Sequence, residues 1–373
     1  MLKLICVFGT RPEAIKMAPV IQAARRRLDQ ILPIVCCTGQ HREVLDGVYR
    51  LFDIVPQHDL GIMQQDQTLM DITLMVMARM RPILLAENPD WVFVQGDTTT
   101  AMSASLAAFY EHIKVGHVEA GLRTYDKYQP FPEEVNRKVI DTIADLHFAP
   151  TEAAVCNLIQ EGTRPENVIL TGNTVVDAIQ QVASLPFDPM HTPLAGLPIG
   201  QKRVILVTAH RRESFGQGIK EICRAIRSVA RTFHDVHIAF PVHPNPQVWV
   251  PVHQMLDDVA GVSLLPPLDY MSFIWLLKNS YLVLTDSGGV QEEAPGLGKP
   301  VLVTREVTER PEGVQAGCVR LVGSDSVTIA HEIHCLLADT EKYRSMARVA
   351  LLYGDGCAGD RIIETLLRVS RAT

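Results

Sequence analysis

Short apolar runs alternate with longer stretches of helical periodicity along most of the chain. Residues 2–8, 32–38, 91–95, 115–119, 146–149 and 168–171 read as buried strands. Between them the 3.6-residue pattern predicts helices at 15–27, 42–52, 68–86, 99–110 and 133–144. Such alternation predicts a parallel sheet with helices on both faces. Segment 185–200 interrupts the pattern with Pro186, Pro189, Pro193, Gly196, Pro198 and Gly200, as in a linker or an irregular interdomain loop. Strand-like runs resume at 204–208, 236–240, 262–264, 282–285 and 301–304. The pattern therefore predicts an α/β protein of two doubly wound domains, with an interdomain cleft lined by strand carboxyl ends.

The 373 residues exceed what one small core needs, and two domains fit that length. Hydrophobic residues make up 47% and charged residues 21%, the balance of a globular protein. A net charge of −7 argues against a nucleic-acid partner, so the cations matter by position. The eight cysteines are Cys6, Cys36, Cys37, Cys156, Cys223, Cys318, Cys335 and Cys357. They lack Cys-x-x-Cys spacing, which suits reduced thiols in a cytoplasmic protein. The first apolar run is too short for a signal peptide, and nowhere do about 20 apolar residues run together to span a membrane.

Candidate chemistry begins where the first strand stops at Gly9-Thr10 and a helix opens near Pro12. Arg11 and Lys16 flank that helix N-terminus, where free N–H groups and the helix dipole favour an anion. An ordinary βα turn with surface cations has the same appearance. No Gly-x-Gly-x-x-Gly fingerprint follows, so no nicotinamide or flavin cofactor is expected. Ser287-Gly288-Gly289 opens another helix after a strand. Its glycines allow a diphosphate close to the backbone, and Glu293, one turn further on, suits ribose hydroxyls better than phosphates. A capped helix after a Gly turn is the plainer alternative. His210-Arg211-Arg212 and Arg310-Pro311-Glu312, both beyond strand ends, add donors for phosphate oxygens.

Acidic residues gather in the first half. Asp97 follows one strand, Glu119 the next, and Glu133 opens a helix. Singly, each fits an N-cap or an ion-pair partner; together, facing a cationic cleft, they suit acid/base work. His243-Pro244-Asn245-Pro246 reads as a polar cleft wall or as a Pro-fixed turn. No metal-ligand spacing and no Gly-x-Ser-x-Gly elbow occurs.

Taken in order, Gly9 to Pro19, Gly96 to Thr100, His117 to Arg123, His210 to Glu213, Asp286 to Glu293 and Thr308 to Glu312 resemble the non-hydrolysing UDP-N-acetylglucosamine 2-epimerases over nearly the whole chain. The resemblance implies two Rossmann-like domains of the GT-B type, usually in a homodimer. Residues 1–172, with a C-terminal helix in 355–373, would form the first domain, and 173–354 the UDP-binding second. Matching positions put Arg11, Lys16, Asp97, Glu119, His210, Phe273, Ser287, Gly288, Gly289, Glu293 and Arg310 at the substrate, with Glu133 a further catalytic carboxylate. Many bacterial members also bind UDP-N-acetylglucosamine as an activator, and Gln40, Arg211 and His243 match parts of that site. Glu43 and Asp66 stand where strongly regulated members carry Gln and Arg, and an added acid would weaken binding of an anionic effector.

Such enzymes interconvert UDP-N-acetylglucosamine and UDP-N-acetylmannosamine for cell-surface polysaccharides, with no added cofactor. Carbon 2 of the sugar bears no adjacent carbonyl, so simple deprotonation would leave an unstabilised carbanion. Elimination of UDP avoids it, and needs cations at the leaving diphosphate and more than one acid/base group. Asp97 is then the leading candidate base, with Glu119 and Glu133 as partners and Lys16 tuning the cluster. A UDP-2,3-diacetamido-uronate 2-epimerase, a GT-B glycosyltransferase, a hydrolysing epimerase and a non-catalytic UDP-sugar sensor are the alternatives.

Overall fold

Nearly continuous apolar strands can be buried only in a sheet covered on both faces, and each half of the chain builds one. The computed structural model describes residues 1–39, 42–64, 67–211, 214–308 and 310–371, with 42–44 described by backbone alone. The first half runs β1 (Leu2–Phe8), α1 (Arg11–Arg25), β2 (Ile31–Cys37), α2 (Arg42–Phe52), β3 (His58–Asp59), α3 (Leu69–Glu87), β4 (Trp91–Gln95), α4 (Thr99–Tyr110), β5 (Lys114–Val118), α5 (Glu133–Ile143), β6 (Leu146–Ala149), α6 (Glu152–Gln160), β7 (Val168–Leu170) and α7 (Thr174–Ser184). Its strands lie in the order β3-β2-β1-β4-β5-β6-β7, all parallel.

The second half continues with β8 (Arg203–Thr208), α8 (Gln217–Thr232), β9 (Val236–Pro241), α9 (Pro246–Leu256), β10 (Val262–Leu265), α10 (Tyr270–Asn279), β11 (Leu282–Thr285), α11 (Gly288–Gly296), β12 (Val301–Val303), α12 (Pro311–Gln315), β13 (Val319–Leu321), α13 (Ser326–Ala338), α14 (Thr340–Met346) and α15 (Ala358–Arg371). Its parallel order is β10-β9-β8-β11-β12-β13. Both sheets have the Rossmann order. Strand order reverses between β1 and β4 in one and between β8 and β11 in the other, where such sheets open a crevice at their carboxyl ends.

The chain divides into two compact units, Met1–Gln180 with Tyr353–Thr373, and Gln181–Leu352. The division falls inside α7. Segment 185–200 therefore belongs to the second unit, where it is irregular apart from a 3-10 turn at Pro189–His191 and buries Leu194. The C-terminal helix α15 packs on α1. A Cβ on Gly359 would stand 2.7 Å from the Pro19 carbonyl oxygen, so the two helices approach at a residue without a side chain. Asp177 accepts from the Gly359 N–H at 2.8 Å, and Arg26 pairs with Asp360 at 2.7 Å.

All eight cysteines are free. Burial pushes the thiols of Cys6, Cys36 and Cys223 up to about 12, which leaves them packed and unreactive. No helix among the described residues is long and apolar enough to cross a membrane.

Candidate active site

In the first unit the residues of interest leave the carboxyl ends of β1, β4 and β5. Gln95 and Val118 are register partners, so Asp97 and Glu119 emerge from neighbouring strands just beyond that pair. Asp97 is not the cap of α4. Thr98 holds that position, its Oγ1 accepting from the Ala101 N–H at 3.0 Å. The Asp97 carboxylate instead pairs with Arg137, whose Nη2 stands 2.5 Å from Oδ2. Asn136 Nδ2 donates to the Asp97 carbonyl at 2.9 Å. Arg137 also reaches Glu134 at 3.1 Å, and Glu134 accepts from the N–H groups of Thr124 and Tyr125 at 3.0 Å each. The Asp97 side chain stays 27% exposed while Arg137 is only 6% exposed, so a buried cation fixes one carboxylate oxygen and leaves the group accessible. Glu133 opens α5, immediately before Glu134.

Glu119 sits at φ +68°, a left-handed conformation uncommon outside glycine. Its carboxylate accepts from Lys16 Nζ of α1 and, at 2.9 Å, from Asn173 Nδ2. Arg11 is exposed at the start of α1. Behind it, buried Glu13 closes a capping box: Oε2 accepts from the Gly9 and Thr10 N–H groups at 3.1 and 2.7 Å. Its other oxygen accepts from Thr98 Oγ1 at 2.6 Å. Burial raises the Glu13 carboxyl, and these bonds oppose the rise. A Cβ at Gly9 would fall 2.2 Å from Thr38 Oγ1, so only glycine fits this turn.

His117 and Arg123 both point to Asp141 on α5. His117 Nδ1 lies 2.6 Å from Oδ1, and Arg123 Nη2 2.7 Å from Oδ2. Burial works against the Asp141 carboxylate, but His117 and Arg123 outweigh it and hold the group down at about 2. Arg123 also forks onto Glu161 at 2.6 to 3.1 Å.

In the second unit, Thr208 and Thr285 are register partners whose hydroxyls lie 2.6 Å apart. Asp286, fully buried after β11, accepts through Oδ2 from the N–H groups of His210 and Arg211 at 2.9 Å each and from Ser214 Oγ at 3.0 Å. It thereby ties the loop after β8 to the start of α11. Ser287 is the N-cap of that helix. A Cβ on Gly288 would lie 2.8 Å from Arg310 Nη1 and 3.4 Å from Arg211 Nη2, so two guanidinium groups stand over the first turn. Arg310 is braced by Glu292 at 2.5 Å, and its N–H donates to Thr308 Oγ1 at 3.1 Å. Two cations at a helix N-terminus make an anion site. His210 stacks on His243 at 5.8 Å, and His243 Nδ1 accepts from the Asn245 N–H at 3.1 Å. Glu293 accepts from the Tyr270 hydroxyl at 3.4 Å, and Phe273 lies half-buried in the same helix, α10.

Within the first unit, then, Lys16 meets Glu119, and Asp97 meets Arg137. Within the second, Arg211, Ser287, Gly288 and Arg310 gather at α11. Arg211, matched in sequence to an effector site with Gln40 and His243, has its guanidinium over Gly288. Gln40 and Asp66 lie outside the described residues, as do Arg212, Glu213, Glu309 and the side chain of Glu43. Sequence reasoning missed Glu13, Arg137, Asp141, Asp286 and Glu292 as supports. Each is a buried charge within or near a quoted motif, which was the only signal available.

The family model for UDP-N-acetylglucosamine 2-epimerase matches residues 23–367. UDP-N-acetylglucosamine 2-epimerase of Escherichia coli (strain K12) is 50% identical over 371 residues, covering 98% of each chain. A crystal structure of UDP-GlcNAc 2-epimerase from Neisseria meningitidis bound to UDP-GlcNAc superposes with a TM-score of 0.92 at 46% identity, covering 98% of this chain and 100% of that one. The S. aureus MnaA–UDP co-structure superposes with a TM-score of 0.91 at 42% identity, covering 100% of this chain and 98% of that one. With a family model matching most of its length and a half-identical relative spanning nearly all of it, the chain belongs to the UDP-N-acetylglucosamine 2-epimerase family.

Proposed function

We propose that the protein interconverts UDP-N-acetylglucosamine and UDP-N-acetylmannosamine, in the cytoplasm, by elimination and re-addition of UDP. The observation that carries this reading is the pair of carboxylates, Asp97 and Glu119, leaving neighbouring strands β4 and β5, each with its own buried cation. Exchange of a proton between two faces of one carbon needs two such groups.

In the proposed reaction Asp97 takes the proton from carbon 2 while the bond from carbon 1 to the diphosphate oxygen breaks. The C–H electron pair becomes the carbon 1–carbon 2 double bond of a glycal, and the C–O pair leaves with UDP. Arg211, Arg310 and the N–H groups at the start of α11 receive the growing charge on the diphosphate, with His210 beside them. Glu119 or Glu133 returns a proton to the opposite face of carbon 2, and UDP re-adds at carbon 1. Lys16 and Asn173 hold Glu119 in place. Glu293 and Phe273 suit the ribose and the uracil. No other cofactor enters.

The test is incubation with UDP-N-acetylglucosamine in heavy water, followed by NMR. Deuterium at carbon 2 of an intact UDP-sugar, with both epimers present, is the expected result. Free UDP with free sugar would make the protein a hydrolysing enzyme. An unchanged substrate would leave a sensor, a glycosyltransferase awaiting its acceptor or an epimerase for another sugar.

We further propose a homodimer. Met70, Leu74, Ala78, Pro82 and Leu85 form an exposed stripe along α3 at helical spacing, an apolar face that a second copy of the chain would cover.

A further inference from the structure

His117 is buried without trace of solvent exposure, and the proposed reaction gives it no chemical step. Its two ring nitrogens face two acceptors. Nδ1 lies 2.6 Å from Asp141 Oδ1, and Nε2 lies 2.7 Å from the Gly96 carbonyl oxygen. A carbonyl oxygen can only accept, so Nε2 carries a proton. Asp141 is an ionised carboxylate whose other oxygen already accepts from Arg123, so it too accepts, and Nδ1 carries a second proton. Among the described residues, Arg123 with Glu161 and His147 of β6 are further charged and titratable groups in this cluster. The Nε2 of His147 lies 2.8 Å from the Asp141 carbonyl oxygen.

The oxygen that His117 holds belongs to the peptide plane joining Gly96 to Asp97. Gly96 has φ +68°, open to glycine and strained for other residues, and its own N–H donates to the Val118 carbonyl at 2.9 Å. Without the ring, that peptide plane is free to turn, because glycine imposes little restraint of its own. Asp97 would then turn with it, and Arg137 would hold one oxygen of a carboxylate whose backbone had moved.

We infer that His117 is a positioning residue for Asp97: as an imidazolium clamped between Asp141 and the Gly96 carbonyl, it fixes the peptide plane from which the candidate base projects. The inference rests on the reading of Asp97 as the base of an epimerase, and the two can fail separately.

The test compares His117→Gln with Asp97→Asn, using UDP-N-acetylglucosamine and the same sugar nucleotide deuterated at carbon 2. A displaced base slows proton removal selectively. The kcat of His117→Gln should therefore fall by about tenfold to a hundredfold. Its KM and its Kd for UDP should stay within about twofold of the wild-type values, and its deuterium isotope effect should rise. A merely destabilising change would lower the active fraction and leave the isotope effect where it was. That result overturns the inference, as does a wild-type kcat. Asp97→Asn should be inert. If it turns over normally, the base assignment fails, whereas an inert Asp97→Asn beside a fully active His117→Gln removes only the positioning role.

A second measurement does not depend on the variant folding. In the wild-type protein labelled with nitrogen-15 histidine, the His117 Nε2–H should be seen at neutral pH, protected from solvent exchange by its bond to the Gly96 carbonyl. An Nε2 without a proton would overturn the clamp.

Discussion

Thr98 Oγ1 donates to Glu13 Oε1 at 2.6 Å, and this bond joins the turn after β1 to the turn that carries Asp97. Glu13 spends its second oxygen on the N–H groups of Gly9 and Thr10. Only a carboxylate presents acceptors on both sides. Glu13→Gln would turn an NH2 toward either the two backbone donors or the threonine hydroxyl. We expect it to cost about 1–3 kcal/mol in urea unfolding at neutral pH, the penalty for leaving buried donors unmatched. A loss near zero would mean that the two turns are held without this bond.

Gly288 separates the proposed diphosphate site from its scaffold. An alanine methyl would come within 2.8 Å of Arg310 Nη1 and 3.4 Å of Arg211 Nη2, in the space a phosphate oxygen would use. Both guanidinium groups end flexible side chains, so the fold can yield while the anion site is spoiled. Gly288→Ala should weaken UDP binding by about tenfold or more, roughly 1.4 kcal/mol, in titration calorimetry with little change in unfolding temperature. At Gly289 the nearest atom to an added Cβ is Ser287 Oγ at 4.0 Å, so Gly289→Ala should fold normally and serves as a control for the unfolding temperature alone.

Strands were the most legible part of the sequence. β4 and β6 fall at the ranges their apolar runs predict, because parallel strands buried on both faces are continuous in hydrophobicity. The strand β3, two residues long, gives too short a run to be read that way, and in β13 the exposed Arg320 interrupts the apolar run. Candidate site residues were legible where local chain geometry speaks: a cation beside a helix start, glycines after a strand, an acid at a strand end. Their supports were not. Arg137 lies 40 residues from Asp97 in sequence, and Asp141 lies 24 from His117. Nothing local tells a buried arginine that orders a carboxylate from a solvated one on a helix face. In the same way, the hydrogen bonds that the His210 and Arg211 N–H groups donate to Asp286 exist only once β8 and β11 lie side by side.

The stripe on α3 tests the proposed homodimer. Met70 and Leu74 are 67% and 59% exposed, one helical turn apart. Replacing both with glutamate should leave the fold intact, since exposed sites rarely cost more than about 0.5 kcal/mol. Light scattering should then report a dimer for the wild-type protein and a monomer for Met70→Glu with Leu74→Glu. A monomeric wild-type protein would remove the proposal.

Asp141 should tie stability to pH in a direction set by its partners. The group is held near 2 in the folded protein against 3.8 for an ordinary aspartate, so the unfolded chain binds a proton more readily. Its contribution is therefore fully present above the unfolded value and is lost as pH falls through the folded one. At about 1.4 kcal/mol per unit, the shift is worth about 2 kcal/mol. Asp141→Asn removes the charge, leaving His117 and Arg123 with a neutral partner. The stability gap between the wild-type protein and this variant, measured by urea unfolding, should be widest near neutrality. It should shrink by about 2 kcal/mol as pH approaches 2, because protonated Asp141 then resembles asparagine. Taking the difference cancels the other carboxylates, which titrate alike in both proteins. A gap that stayed constant with pH would mean that Asp141 ionises no more easily in the fold than outside it, and that His117 and Arg123 do not act on it as a charge.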